Sequence, residues 1–347
     1  MKRAAVFFVA SPLHYLAARR VALDYEGEAR HVLVYYDRVL EPVVRPEDWD
    51  ATLYIPWPRF EPLPGLFGRH RRLLENLRRV AEAVGPTDTL LLHSPVFDTE
   101  AINYFLRALP RMTGAATMRA RILPDGLLNV QRYPLSLAKR SAQRLRVLRR
   151  LVSPVLDYWR FSGDRIGSDA PFVDRIYVLA GFPHRYDPVR AVTLGPLVEV
   201  SSALRDRHAA AALETPRALV IGQPLVAFGL MDEVDRAAVS TAIAKWLAQT
   251  LPGPVDYRPH PREGERHEMR EAHYHLLEID EPIESYLART PYAIVVGCCS
   301  TALFIARQIY GPEARIAAFG VERVRFKGEG KRENTLALMR ELSIEVH

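Results

Sequence analysis

His260 stands between two prolines in Tyr257-Arg258-Pro259-His260-Pro261-Arg262-Glu263. Each proline fixes its own φ and disfavours helix in the residue before it, so the imidazole leaves a stiff extended segment that can aim at one atom. A surface turn with an incidental histidine would read the same way. Ser300-Thr301 follows a strongly apolar run, Tyr292 to Val296, and Gly297-Cys298-Cys299, then opens a helix over Ala302 to Ile309. Free amides at a helix start, the positive end of its dipole and two hydroxyls converge there on an anion, which makes the pair a phosphate site in outline. Helix capping alone would account for one hydroxyl. Pro124-Asp125-Gly126 ends a predicted strand, Met118 to Leu123. Ligands of open α/β sheets collect at that edge, yet Pro-Asp-Gly is also among the best turn formers.

Several chemistries lack their signatures. There is no Walker loop for a triphosphate, no Gly-x-Gly-x-x-Gly and no Gly-x-Ser-x-Gly elbow. The two cysteines, Cys298 and Cys299, are adjacent, which fits neither a disulfide framework nor a zinc spacing, so they read as small buried hydrophobes.

The elements that must position these groups follow from hydrophobic patterning. Ala4 to Ala10 is a continuous apolar run of strand length, and Ser11-Pro12 then caps a helix over Leu13 to Leu23. Strands are predicted at His31 to Tyr36, Ala51 to Ile55, Thr89 to His93, Asp174 to Ala180 and Ala191 to Leu194. Helices are predicted at Arg69 to Val84 and, capped by Asp98, at Asp98 to Leu109. A polar, alanine-rich stretch over Ser201 to Pro216 bridges to a second series. That series runs strand Arg217 to Ile221, helix Asp232 to Leu251, strand Val255 to Arg258, helix Pro282 to Arg289, the strand and helix around Ser300, strand Ala314 to Phe319 and helix Asn334 to Leu342. Such alternation predicts an α/β chain of two Rossmann-type domains facing each other across a cleft, 1–200 and 201–347, the closing helix being placed to pack back on the first domain.

A net charge of +6 and a pI near 9.3 imply attraction to something anionic. The charge concentrates in 132–165, where Arg132, Lys139, Arg140, Arg144, Arg146, Arg149, Arg150, Arg160 and Arg165 interleave with leucines and valines. A basic amphipathic helix of this kind lies on an anionic membrane or is a domain helix with a solvated basic face. Nucleic acid is a poorer partner, because no recognised motif for it is present and aromatics are sparse in that segment. No apolar run approaches the roughly 18 to 20 residues of a membrane span. Nor does the start of the chain have the length or cleavage site of a signal peptide, so a cytoplasmic protein is expected, with peripheral contact at the inner face of the membrane.

Taken in order, Pro124-Asp125-Gly126, Arg258-Pro259-His260-Pro261 and Ser300-Thr301 resemble three short signatures of the bacterial sialyltransferases, the lipooligosaccharide sialyltransferase and capsular polysialyltransferase group. Ser11-Pro12-Leu13-His14 and Ile221-Gly222-Gln223-Pro224-Leu225 also look like that group, so the resemblance spans most of the chain. Two positions depart from it: Pro124 stands where the group has a first acidic residue, and Arg258 where it has lysine, a change that keeps the charge.

The resemblance implies a GT-B glycosyltransferase that moves sialic acid, with inversion, from CMP-sialic acid to a hydroxyl of a glycan or glycolipid acceptor. It implies Asp125 as the base and His260, as imidazolium, stabilising or protonating the departing phosphate. Arg258, Ser300 and Thr301, with Pro259 and Pro261 flanking the histidine, would hold CMP, and Glu284 would grip its ribose hydroxyls or be an exposed helix carboxylate. Gln223 would join the CMP site from the cleft wall, and His14 and Gly126 would line the acceptor side or the cleft. No cofactor or metal is expected, since CMP carries one phosphate. A CMP-Kdo or other CMP-nonulosonic acid transferase, and a non-catalytic polyanion or lipid-surface binder on the same fold, are the alternatives.

Overall fold

The computed structural model describes residues 2–125, 134–164, 166–198, 210, 214, 216–311, 314–326 and 330–347. Its contacts divide the chain into Met1–Leu197 and Val198–His347, each built on one parallel sheet.

The first unit contains β1 (Arg3–Val9), α1 (Pro12–Tyr25), β2 (Arg30–Tyr35), β3 (Ala51–Tyr54), α2 (Gly68–Val84), β4 (Thr89–Ser94), α3 (Glu100–Asn103), α4 (Phe105–Thr113), β5 (Thr117–Ile122), α5 (Leu137–Val147), β6 (Val173–Leu179) and β7 (Ala191–Leu194). The strands form a seven-stranded sheet in the order β3-β2-β1-β4-β5-β6-β7. β1 is continuous in apolar residues because it is buried on both faces. Val6 and Phe8 meet α2 and α4 residues such as Leu77 and Phe105 in one core, while Phe7 stacks on His93 on the other face at 4.3 Å between ring centroids.

The second unit contains β8 (Ala218–Ile221), α6 (Glu233–Thr250), β9 (Val255–Arg258), β10 (His275–Leu276), α7 (Ile283–Leu287), β11 (Ile294–Gly297), α8 (Thr301–Tyr310), β12 (Arg315–Ala318), α9 (Lys331–Glu341) and β13 (Glu345–Val346). Its six strands run β10-β9-β8-β11-β12-β13. The two-residue edge strands β10 and β13 are too short for a hydrophobic pattern to announce them. The closing helix, α9, packs on β13 of its own sheet.

In both sheets the order reverses beside the first strand, between β1 and β4 and between β8 and β11. Loops leaving the carboxyl ends on either side of such a reversal diverge and open a crevice.

One expected helix differs. The run from Asp98 to Leu109 is interrupted at Tyr104, and Asp98 does not cap it. Its carboxylate is buried and accepts from Lys139 Nζ at 2.9 Å, Gln143 Nε2 at 2.9 Å and Tyr158 Oη at 3.0 Å, so tertiary anchoring of α5 overrides local capping. The continuous helix over 132–165 is not formed either: α5 and a short 3₁₀ turn, Leu148–Leu151, are helical, and Arg132 and Arg165 lie outside the described residues.

A buried polar cluster ties α1 to the strands. Glu26, directly after α1, accepts from Arg121 Nη1, from His93 Nε2 at 3.3 Å and from Tyr177 Oη at 3.5 Å, and Arg121 also grips Asp174 with two bonds of 3.1 Å. Burial pushes the His93 pKa down to about 3, so the ring is a neutral donor. Removing Glu26 leaves the buried Arg121 with Asp174 alone and takes the acceptor from the buried His93 and Tyr177. Glu26→Ala is expected to cost about 3 kcal/mol in urea denaturation; a loss below about 0.5 kcal/mol would mean that the cluster is structurally idle.

Candidate active site

In the first unit the carboxyl edge of the sheet brings together two residues 111 positions apart. His14 Nε2 lies 2.8 Å from Asp125 Oδ1. His14 is in the first turn of α1, whose cap Ser11 accepts from the His14 amide at 3.3 Å, and its side chain is buried. The Ala10 amide donates to His14 Nδ1 at 3.4 Å. Nδ1 is therefore the acceptor, and Nε2 carries the proton that it donates to the carboxylate. Asp125 is held in one orientation with its side chain 25% exposed. His14, expected in the cleft wall, is thus the direct partner of Asp125; Gly126 lies outside the described residues. Asp48-Trp49-Asp50 has an acidic spacing that could chelate a cation, but it sits at the amino end of β3. Asp48 is bound to Arg19 at 3.1 Å and Asp50 to the His31 amide at 2.7 Å.

In the second unit the loops after β8, β9 and β11 leave the same edge. Gln223, after β8, reaches across the strand-order reversal: its Oε1 accepts from the Cys299 amide at 2.8 Å and its Nε2 donates to Cys299 Sγ at 3.6 Å. Cys299 is therefore no inert filler, whereas Cys298 is buried as expected. Ser300 is the N-cap of α8, its Oγ accepting from the Ala302 amide at 3.3 Å, and Thr301 is the first helical residue. Capping therefore already occupies one hydroxyl of the pair.

Pro259 is half-buried, Pro261 exposed, and His260 between them is fixed by its own loop. The Arg262 amide donates to His260 Nδ1 at 3.0 Å, which leaves the proton on Nε2. Burial, with Arg262 and Arg258 adding like charge, pushes the His260 pKa down to about 4. In the free chain the ring is therefore a neutral hydrogen-bond donor; the imidazolium role expected from the sequence concerns the ring beside a bound phosphate, whose charge favours the protonated form.

The residue that builds this loop is Glu263, to which sequence reasoning assigned no role. Its buried Oε1 accepts from Tyr257 Oη at 2.6 Å and from the Glu268 amide at 2.5 Å, and its Oε2 accepts from the His260 amide at 2.9 Å. Glu268 in turn accepts from the amides of Val226 and Ala227 at 2.8 and 3.1 Å, stitching the β9 loop to the β8 loop. Gly222 is required here, because a Cβ would lie 2.5 Å from both Glu263 Oε2 and Tyr257 Oη. The available signal was an acid three residues after the histidine in an otherwise basic stretch.

Arg258 donates to the carbonyls of Leu277 and Ile279 at 3.4 and 3.3 Å, which directs it towards the loop after β10. Its charge acts there on Glu284, in the first turn of α7. Glu284 is buried, not the exposed carboxylate that was its alternative; burial pushes its pKa up and Arg258 pulls the other way. Its Oε2 has no hydrogen-bond partner among the described residues. A buried acceptor left open in this way suits a ligand hydroxyl. Among the described residues no three His, Cys, Asp or Glu side chains form a group that could hold a metal ion.

The His260 ring resonances are expected to titrate near pH 4 in the free protein. Titration near the ordinary value of about 6.5 would contradict this geometry.

No curated protein sequence matches the chain. The sequence model of the family described as alpha-2,8-polysialyltransferase (POLYST) matches residues 177–316, a span that holds Gln223, Arg258 to Pro261, Glu284, Ser300 and Thr301 but not Asp125 or His14. Among solved structures, the chain is similar to the alpha/beta-galactoside alpha-2,3-sialyltransferase of Photobacterium phosphoreum, at 10% identity and a TM-score of 0.57 over 100% of this chain and 98% of that one. It is also similar to Os79 from O. sativa, solved with U2F and trichothecene, at 16% identity and a TM-score of 0.51 over 98% and 90% of the two chains. A third likeness is to S. aureus MnaA, solved with UDP, at 12% identity and a TM-score of 0.51 over 99% and 88%. At such identities the structures share the fold. What they show of this chain is a fold of two Rossmann-type units; the family model is similar to 140 of its 347 residues, most of the second unit and the end of the first.

Proposed function

We propose that the protein transfers sialic acid from CMP-sialic acid to a hydroxyl of a surface-glycan acceptor, with inversion and without a metal ion. The observation that carries this reading is the oriented pair of donors and acceptors at the two sheet edges: His14 holding Asp125 in the first unit, and the Glu263-stapled His260 in the second. The second unit takes the nucleotide and the first the acceptor.

In the step itself the acceptor oxygen attacks the anomeric carbon of the sugar on the face opposite the phosphate. Its proton passes to Asp125 as the new C–O bond forms, and the bond from the anomeric carbon to the phosphate oxygen breaks with its electron pair going to CMP. Charge grows on the departing phosphate. The His260 Nε2–H, fixed by the Arg262 bond to Nδ1, donates to it, and the dipole and amides at the start of α8 add to the stabilisation, with Ser300 and Thr301 lining that end. Glu284 accepts from the ribose hydroxyls, its own backbone amide and Arg258 opposing the upward push that burial gives its pKa. One phosphate needs no chelated cation when a helix N-terminus and an imidazole share its charge. Peripheral contact of the basic segment around α5 with an anionic membrane at the cytoplasmic face belongs to the same reading.

Calorimetric titration should show CMP binding more tightly than UDP and unaffected by EDTA. Asp125→Asn keeps the carboxylate's size and loses its proton affinity, so turnover should fall by roughly 10² to 10⁴ while CMP affinity stays near that of the parent protein. Full transfer activity in Asp125→Asn, or CMP binding abolished by EDTA, would overturn the reading.

A further inference from the structure

Helix α5 is built inside out. Its protein-facing side is polar apart from Val147: Lys139 and Gln143 bond to the buried Asp98, and Arg146 pairs with Glu100 at 3.4 Å and donates to Tyr158 Oη at 3.2 Å. Its leucines face away. Leu137 and Leu145, with Leu148, Leu151 and Val152 just beyond, are between 55% and 80% exposed. The exposed Arg140, Arg144 and Arg150 flank them, and no acidic residue occurs from Leu137 to Leu156. An amphipathic helix ordinarily turns its apolar stripe to the core. Here buried hydrogen bonds hold the opposite face down.

A second element repeats the pattern. The loop after β3 is closed by the Leu63 amide bonding to the Gly68 carbonyl at 3.2 Å and by Gly68 bonding to Gly65 at 3.3 Å. The Arg72 side chain clamps the Glu61 carbonyl at 2.9 Å, and Arg71 clamps that of Pro64. Only glycine fits at position 68, where a Cβ would lie 1.9 Å from the Leu63 carbonyl oxygen. The firmly built loop holds Leu66 and Phe67 out at 86% and 78% exposure, with Phe60 at 74%. Arg59, Arg69 and Arg71 surround them, exposed.

Both elements leave the carboxyl edge of the first unit's sheet: the loop follows β3, and α5 stands on Asp98 and Glu100 after β4. His14 and Asp125 lie at the same edge.

We propose that the first unit docks on an anionic bilayer through two protrusions, the leucine face of α5 and the Leu66-Phe67 loop, and so takes its acceptor glycan from a lipid-anchored molecule. This rests on the membrane contact read above and adds the second anchor, the inserted side chains and the presentation of the acceptor. Large apolar side chains set among arginines match the boundary between acyl chains and anionic headgroups. A second copy of this chain fits less well, because a self-complementary interface would bring the arginine-rich patches against one another.

The test is co-sedimentation of the full chain with phosphatidylglycerol–phosphatidylcholine vesicles and with pure phosphatidylcholine vesicles. The parent protein should bind the anionic vesicles and weaken with salt. Leu66→Asp/Phe67→Asp and Leu145→Asp/Leu148→Asp should each lower binding by about tenfold or more. Because these residues are exposed, both variants should keep the parent melting temperature and full transfer to a soluble acceptor, and lose transfer to an acceptor glycolipid embedded in vesicles. If only the α5 pair lowered binding, the second anchor would be refuted and the membrane reading would stand. Absence of vesicle binding by the parent protein would remove both. A dimer in sedimentation velocity that the same substitutions dissolve would assign the surface to a second copy and overturn the proposal.

Discussion

A parallel sheet delivers every strand-to-helix loop to one edge, and where the strand order reverses those loops separate and leave a crevice. This chain meets that constraint twice, between β1 and β4 and between β8 and β11. The residues that matter hang from it: His14 follows β1, Asp125 follows β5, Gln223 follows β8, His260 follows β9 and Ser300 follows β11. Geometry alone does not keep such loops in place. In the second unit a buried carboxylate does so, since Glu263 gathers the Tyr257 hydroxyl and the amides of His260 and Glu268, and Glu268 carries the connection on to Val226 and Ala227. Gln223 closes the other side of the crevice onto Cys299.

The state of His260 follows from this closure. A loop that shelters the ring from water and places guanidiniums near it takes away the proton, and the Arg262 amide settles which nitrogen keeps the remaining hydrogen. A neutral imidazole is a weaker acid than imidazolium but a defined donor, and in the proposed reaction its contribution grows with the charge on the leaving phosphate. His14 is arranged alike, with Nδ1 taken by the Ala10 amide and Nε2–H aimed at Asp125.

Much of the fold was legible because parallel strands buried on both faces are unbroken apolar runs, as β1 and β11 are. The motif residues were legible because they sit directly at strand ends. Their partners were not. Nothing local connects His14 to Asp125 across 111 residues, and the value of Glu263 depends on a tyrosine and two amides that only the folded loop assembles. Asp98 misled because a carboxylate before a helical run looks like a cap, whereas burial gave it α5 to anchor. Periodicity in α5 revealed two faces, but which one turned inward was decided by Asp98 and Glu100, more than 30 residues earlier.

In the proposed reaction these loops serve one metal-independent, inverting transfer from a CMP-activated acidic sugar. Proton NMR of purified protein with CMP-sialic acid, a galactose-terminated acceptor and EDTA tests it directly. The expected result is release of CMP matched one to one by an α-linked sialoside, the inverted configuration of the β-linked donor. A β-linked product, a requirement for added divalent cation, or turnover of a UDP-sugar in place of CMP-sialic acid would contradict it.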